Sequence, residues 1–67
     1  MNKEHILQFF SYAHLEEEKR TVSKPFGDLA QLIVQMLPRN PERTVALRKL
    51  LEAKDAAVRA SFAKDVE

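Results

Sequence analysis

The strongest constraint on this chain is the punctuation at Pro38-Arg39-Asn40-Pro41-Glu42-Arg43. Asn caps a helix by accepting a backbone N–H, and Pro suits the first helical position because no N–H is needed there. Neither Gly nor Pro occurs over 44–63. The sequence therefore predicts one helix over about 41–63, roughly 34 Å long at about 1.5 Å per residue. Upstream, Pro38 disfavours helix and ends the preceding segment near Leu37. The short link from Pro38 to Pro41 then folds the two helices into an antiparallel hairpin.

The helix before that link is predicted over about 25–37. Pro25 suits its first position, because the residue before a proline, Lys24, is pushed out of the α region. Phe26, Leu29, Ala30, Leu32, Ile33, Val34, Met36 and Leu37 cover most of its circumference, the pattern of a helix buried on more than one side. A first, short helix is predicted over about 3–13, with Asn2 as its cap. Its apolar positions Ile6, Phe9, Phe10 and Ala13 recur at helical spacing, flanked by Leu7 and Tyr12. The connector Glu16-Glu17-Glu18-Lys19-Arg20 either continues the first helix or forms a solvated loop. The expected fold is a single all-α domain over 1–67, a short N-terminal helix followed by an antiparallel helical hairpin.

The third helix carries two adjoining stripes: small residues at Ala46, Leu50, Ala53, Ala57 and Ala60, and bulkier ones at Leu47, Leu51, Val58 and Phe62. Arg48, Glu52, Asp55 and Arg59 lie opposite, at spacings that allow pairing along the helix. With the expected boundaries, about ten residues of the third helix overhang the second. A neighbouring protomer covering that overhang makes the protein a homo-oligomer; a compact three-helix monomer is the alternative. Size points the same way. The chain has 67 residues and no cysteine. A domain this small must find its stability outside disulfides.

Composition closes off several functions. The net charge is +1, too small for a protein that coats DNA or RNA polymers. No apolar run approaches the length of a membrane span, and the N-terminus lacks the pattern of a signal peptide. Only His5 and His14 offer imidazole, so a structural zinc site is not expected. Ser11, Ser23 and Ser61 are the hydroxyl candidates for nucleophilic catalysis, and nothing in their spacing to the histidines suggests a triad. Glu16 to Glu18 could join His14 at a divalent ion, although adjacent like charges usually form a solvated face. The expectation is a protein that is not an enzyme, with no catalytic residue, resident metal or cofactor.

Anion binding has more in its favour. A helix beginning at Pro25 would present the N–H groups of Phe26 and Gly27 at its positive end, with Ser23 and Lys24 beside them. Gly27 would leave a phosphate room to approach, or simply ease a tight helix contact. Ser23 is equally readable as a cap, and Lys24 as a solvated charge. Tyr12 is the only tyrosine, and its ring can stack a nucleobase or pack in the core. Arg39, Arg43 and Arg48 form a basic group at the hairpin turn. Arg59 is either a salt-bridge partner of Asp55 or a ligand arm.

The segment Pro38-Arg39-Asn40-Pro41-Glu42-Arg43-Thr44, with Ala46-Leu47-Arg48-Lys49-Leu50-Leu51-Glu52-Ala53-Lys54-Asp55-Ala56-Ala57-Val58-Arg59-Ala60, resembles the helical hairpin of small bacteriophage proteins that counter the CBASS immune system. A related hairpin occurs in phage sponges directed at the Thoeris system. Phe10-Ser11-Tyr12-Ala13-His14-Leu15 and Val22-Ser23-Lys24-Pro25-Phe26 resemble the start of the same family. The resemblance implies an all-helical homohexamer with pockets between protomers. It implies a sponge that sequesters cyclic di- and trinucleotide second messengers without cleavage, in the cytoplasm of the infected bacterial host. By position, Tyr12 would stack a base and Lys24 would contact a phosphate, with Ser23 assisting. Arg59, then Arg43 and Thr44, are the candidates for a separate trinucleotide pocket. Without that resemblance, the residues alone also fit a small helical oligomerisation or protein-interaction module that has no small-molecule ligand.

Overall fold

The structure is a computed structural model that describes residues 5–62. A short 3₁₀ helix, η1 (His5–Phe10), leads through a turn into α1 (Glu17–Met36), which reverses into α2 (Pro41–Phe62). The described residues contain no strand. The α1–α2 pair is the expected hairpin, and η1 packs against both of its helices.

The hairpin turn is built as its sequence dictates. Asn40 Oδ1 accepts the Arg43 backbone N–H at 2.8 Å. This is the side-chain cap that opens α2, and Pro41 is the first helical residue, the position that suits a proline. On the other side of the turn, Leu37 leaves the helix with φ −116° and ψ 144°. That extended conformation is the one a following proline imposes. The Leu37 N–H still closes the last turn on Ile33 O at 3.0 Å.

Two expected helices are corrected in their bounds. The helix expected to start at Pro25 begins eight residues earlier, at Glu17, leaving Pro25 in its interior. The acidic connector supplies the start. Glu17 and Glu18 occupy the first turn, where negative charge suits the macrodipole. Arg20 also donates from Nη1 to Leu15 O at 2.9 Å. An interior proline removes one ladder hydrogen bond and costs about 3 kcal/mol in isolation. Here it sits within a segment whose inward face, Ser23, Gly27 and Ala30, is buried, so tertiary packing outweighs local propensity. The first helix is a 3₁₀ helix that ends at Phe10 rather than an α-helix reaching residue 13. So short a segment does not sustain an α-helix alone, and tighter 3₁₀ turns are common in such pieces. Asn2, Lys3 and Glu4 at the start of the expected first helix, and Ala63 at the end of the expected third, lie outside the described residues.

The longer α1 changes the balance of the hairpin. With 20 and 22 residues the two helices nearly match, so the length mismatch expected from the sequence is absent. The core is nevertheless small. Phe10, Ala30 and Leu47 are its buried hydrophobic residues among those described, ringed by Ile6, Leu7, Phe26, Ile33, Val34, Leu50 and Leu51. Arg48, Glu52, Asp55 and Arg59 face solvent as expected. The ion pairs on α2 include Lys49–Glu52 at 3.9 Å and Lys54–Asp55 at 3.2 Å. At the open end of the hairpin, the Lys19 ammonium lies 4.9 Å from the Phe62 ring centroid. This cation–π contact joins the start of α1 to the end of α2.

Gly27 sets the distance between η1 and α1. A Cβ at this position would lie 3.0 Å from Phe10 O and 3.1 Å from Tyr12 Cδ2 and Cε2. Alanine is worth about 1 kcal/mol over glycine inside a helix, while overpacking costs about 1–3 kcal/mol. Because one of the crowded atoms is backbone, the second effect wins. Gly27→Ala is expected to lower the thermal midpoint, read by far-UV circular dichroism; an unchanged or higher midpoint would show that the contact yields freely.

Candidate functional site

The close approach at Gly27 brings together side chains that are distant in sequence. Tyr12 follows η1 and lays its ring edge against α1 at Gly27. Lys24 and Asp28 stand one helical turn apart on α1, beside that ring. Lys24 Nζ lies 2.8 Å from Asp28 Oδ2 and 5.9 Å from the Tyr12 ring centroid. The Tyr12 hydroxyl donates to Asp28 Oδ1 at 3.4 Å, long for a hydrogen bond between oxygens. A cleft of about 280 Å³ opens beside these groups, lined by Leu7, Phe10, Ser11, Tyr12, Gly27, Asp28 and Gln31.

The electrostatics of the cluster follow from these contacts. The hydrogen bond from Lys24, opposed by partial desolvation and aided by the ammonium charge and the Tyr12 hydroxyl, holds the Asp28 carboxyl below its ordinary range. A bond made to the charged form favours that form. The same hydrogen bond, and then the carboxylate charge, raises Lys24 above its ordinary value. Both groups are therefore charged at neutral pH. The pair is more than half exposed, so it orients the two side chains and adds little to stability.

Tyr12 and Lys24 are thus brought together, whereas the other sequence-derived candidates are placed differently. Ser23 points inward and is fully buried, with its hydroxyl lacking a hydrogen-bond partner, so an incoming ligand has no access to it. The expected cradle of Phe26 and Gly27 N–H groups does not form. Both residues lie deep inside α1, where the helical ladder uses such groups. Gly27 serves the tight contact instead.

Arg43 is 6% exposed, and its guanidinium is committed to the hairpin. Nη1 donates to Val34 O at 3.3 Å and to Leu37 O at 3.0 Å, carbonyls at the end of α1. Positive charge at that end also suits the helix dipole. Thr44 directs its hydroxyl back to Asn40 O at 3.4 Å. Arg59 is exposed and lies on the same helix as Arg43, toward its far end. The helical rise separates the two by roughly 24 Å. One chain therefore does not assemble Arg59, Arg43 and Thr44 into a single pocket.

Asp28 and Gln31 are the site residues that sequence reasoning missed. The signal was present in the Lys24–Asp28 spacing, which is favourable only on a continuous helix. Reading Pro25 as a helix start placed Lys24 outside that helix and hid the pair. A second, more open hollow of about 650 Å³ is bordered by Glu17, Glu18, Thr21, Val22 and Ser61, and its carboxylates repel an anionic ligand. Among the described residues, no three His, Asp or Glu side chains converge to hold a metal ion. No helix there is long and apolar enough to cross a membrane.

Comparison with protein-family models, curated proteins and solved structures finds no match to this chain. The family resemblance therefore rests on the hairpin residues and the two short segments upstream of it.

The committed Arg43 side chain has a measurable consequence. Replacing it with alanine removes two charge-assisted hydrogen bonds and leaves α1 carbonyls unpaired, at about 2–4 kcal/mol. Arg43→Ala is expected to unfold at markedly lower urea than the parent chain. A midpoint equal to the parent's would mean that the side chain is available for other work.

Proposed function

We propose that this protein is a phage anti-defence sponge that binds cyclic di- and trinucleotide second messengers without cleaving them. In this reading it acts in the cytoplasm of the infected bacterial host and withholds the signal from CBASS effectors. The observation that carries the reading is the meeting of Lys24 with Tyr12, whose ring lines the cleft. Their roles are named by the resemblance, and their proximity arises from the Gly27 contact, which the resemblance does not include.

The chemistry suits capture. An aromatic ring contributes about 1–3 kcal/mol per stacked base, and an ammonium group pairs with a phosphodiester. Sequestration asks for tight, stoichiometric binding and needs neither nucleophile nor general base. Nanomolar affinity corresponds to about 12 kcal/mol. The cleft on one protomer measures about 280 Å³. That space holds only part of a cyclic dinucleotide, so the reading includes a second protomer closing over the remainder.

Self-association, as the homohexamer the resemblance implies, draws support from the outer face of α1. Leu29, Leu32 and Met36 are 45%, 46% and 62% exposed at helical spacing, and Leu37 follows at 41%. This stripe faces away from the buried Ser23, Gly27 and Ala30, and covering it recovers about 1 kcal/mol per side chain. The same stripe favours the second reading, a helical interaction module without a small ligand.

Two experiments separate the readings. Calorimetric titration with cyclic dinucleotides is expected to release heat, and mass spectrometry of the recovered ligand to show it intact. Tyr12→Ala should weaken binding about five- to a hundredfold, the loss of one stacking contact, and Lys24→Ala by a smaller factor, up to about fivefold. Absence of heat with every cyclic dinucleotide and trinucleotide rules out the sponge and leaves the interaction module. Analytical ultracentrifugation is expected to find an oligomer for the parent chain and a smaller species for Leu32→Glu. A parent chain that sediments as a monomer removes the role given to the stripe.

A further inference from the structure

We propose that Asp28 and Gln31 read the Watson–Crick edge of a guanine base seated in the cleft beside Tyr12, so that the protein prefers guanine-bearing ligands to adenine-bearing ones. This rests on the reading that the cleft takes a nucleotide and assigns its base.

The lining residues divide into two kinds. Leu7, Phe10 and Tyr12 are apolar or aromatic walls, whereas Asp28 and Gln31 are polar groups one helical turn apart on α1, and Ser11 is a further polar residue of the lining. The cleft's volume of about 280 Å³ lies at the small end of ligand pockets, suited to a base and part of its sugar. Within such a space, specificity comes from a few placed polar groups. A carboxylate offers two adjacent acceptors, and an amide adds a donor. Guanine presents the complement: N1–H and the N2 amino group side by side, with the O6 acceptor next to them. Adenine turns a donor and the N1 lone pair toward the same groups, which sets an acceptor against the carboxylate. Uracil offers a single N–H between two carbonyls, with the same mismatch.

Asp28 can serve the base without releasing Lys24. An ionised carboxylate has about four lone-pair positions. Lys24 uses one of them, on Oδ2, at 2.8 Å. The Tyr12 hydroxyl contact at 3.4 Å is long enough to yield to an incoming donor. Lys24 retains two further N–H groups for a phosphate, so base and backbone are held by neighbouring side chains.

The test is calorimetric titration of the full chain with cyclic di-GMP and cyclic di-AMP, on the parent and on Asp28→Asn and Gln31→Ala. The parent is expected to bind cyclic di-GMP about ten- to a hundredfold more tightly, the discrimination of one good bidentate contact. Asp28→Asn, which sets an amide donor against the guanine donors, should bring that ratio close to one, mainly through loss of cyclic di-GMP affinity. Gln31→Ala should reduce the ratio by a smaller factor. Circular dichroism checks that each variant stays folded, as expected for exposed positions. Equal binding of both ligands by the parent overturns the assignment and leaves the sponge reading standing, and so does a preference that survives in Asp28→Asn. Binding of neither ligand overturns the assignment, and the reading beneath it falls with it when the other cyclic di- and trinucleotides also release no heat.

Discussion

The approach of η1 to α1 at Gly27 is the contact on which the rest of the molecule turns. A missing Cβ lets the Phe10 carbonyl and the Tyr12 ring reach the backbone of α1 at distances a side chain would crowd. Phe10 then fills the core above Ala30 and Leu47, where a chain of this size has few other buried hydrophobic groups. The same approach sets Tyr12 beside Lys24 and Asp28 and leaves a cleft lined by Tyr12, Asp28 and Gln31. Core and candidate site are consequences of a single steric allowance. A change that pushes η1 outward therefore damages both, and separating folding from binding at this position requires two kinds of measurement.

The other end of the chain's architecture is fixed by charge and capping rather than by packing. Asn40 opens α2, Leu37 leaves α1 in the conformation Pro38 demands, and Arg43 reaches back to the α1 carbonyls. Each device satisfies or frees backbone groups at the helix ends, where the ladder has no partners to offer. The turn is thus held by hydrogen bonds that use little hydrophobic surface. The apolar residues of α1 are correspondingly spread around it: one face meets η1 and α2, while Leu29, Leu32 and Met36 remain outside.

How legible the molecule was in its sequence differed along the chain. The hairpin was legible because its signals are local, with Asn-Pro at one helix start and Leu-Pro at the other helix end. The N-terminal half was not, because Ser23-Lys24-Pro25-Phe26-Gly27 carries every local mark of a helix boundary. What overrides those marks is the burial of Ser23, Gly27 and Ala30, a tertiary effect invisible to spacing. The misplaced start then spread into the site. It turned Gly27 into a backbone cradle, Ser23 into a ligand group, and Lys24 into a residue outside the helix. Tyr12 and Lys24 emerged together because the resemblance supplied them. Asp28 needed the continuous helix, and Arg43 needed the folded turn to show that its guanidinium has structural work.

The Lys24–Asp28 pair also bears on where affinity for an anion has to originate. A phosphate arriving at Lys24 meets an ammonium that already has a carboxylate partner at 2.8 Å. Sharing that ammonium with a second anion in an exposed setting changes the free energy little, since such pairs are worth about 0–1 kcal/mol. Charge at Lys24 therefore orients a ligand more than it holds one. The larger share must come from surfaces that lose water on binding: the Tyr12 ring, the Leu7 wall, and whatever closes over the cleft from outside. That order of magnitudes ties tight capture to assembly. On the proposed reading, a protomer with so small a cleft reaches the affinity a sponge needs when a second apolar surface completes the enclosure. The uncovered stripe on α1 gives copies of this chain a reason to come together.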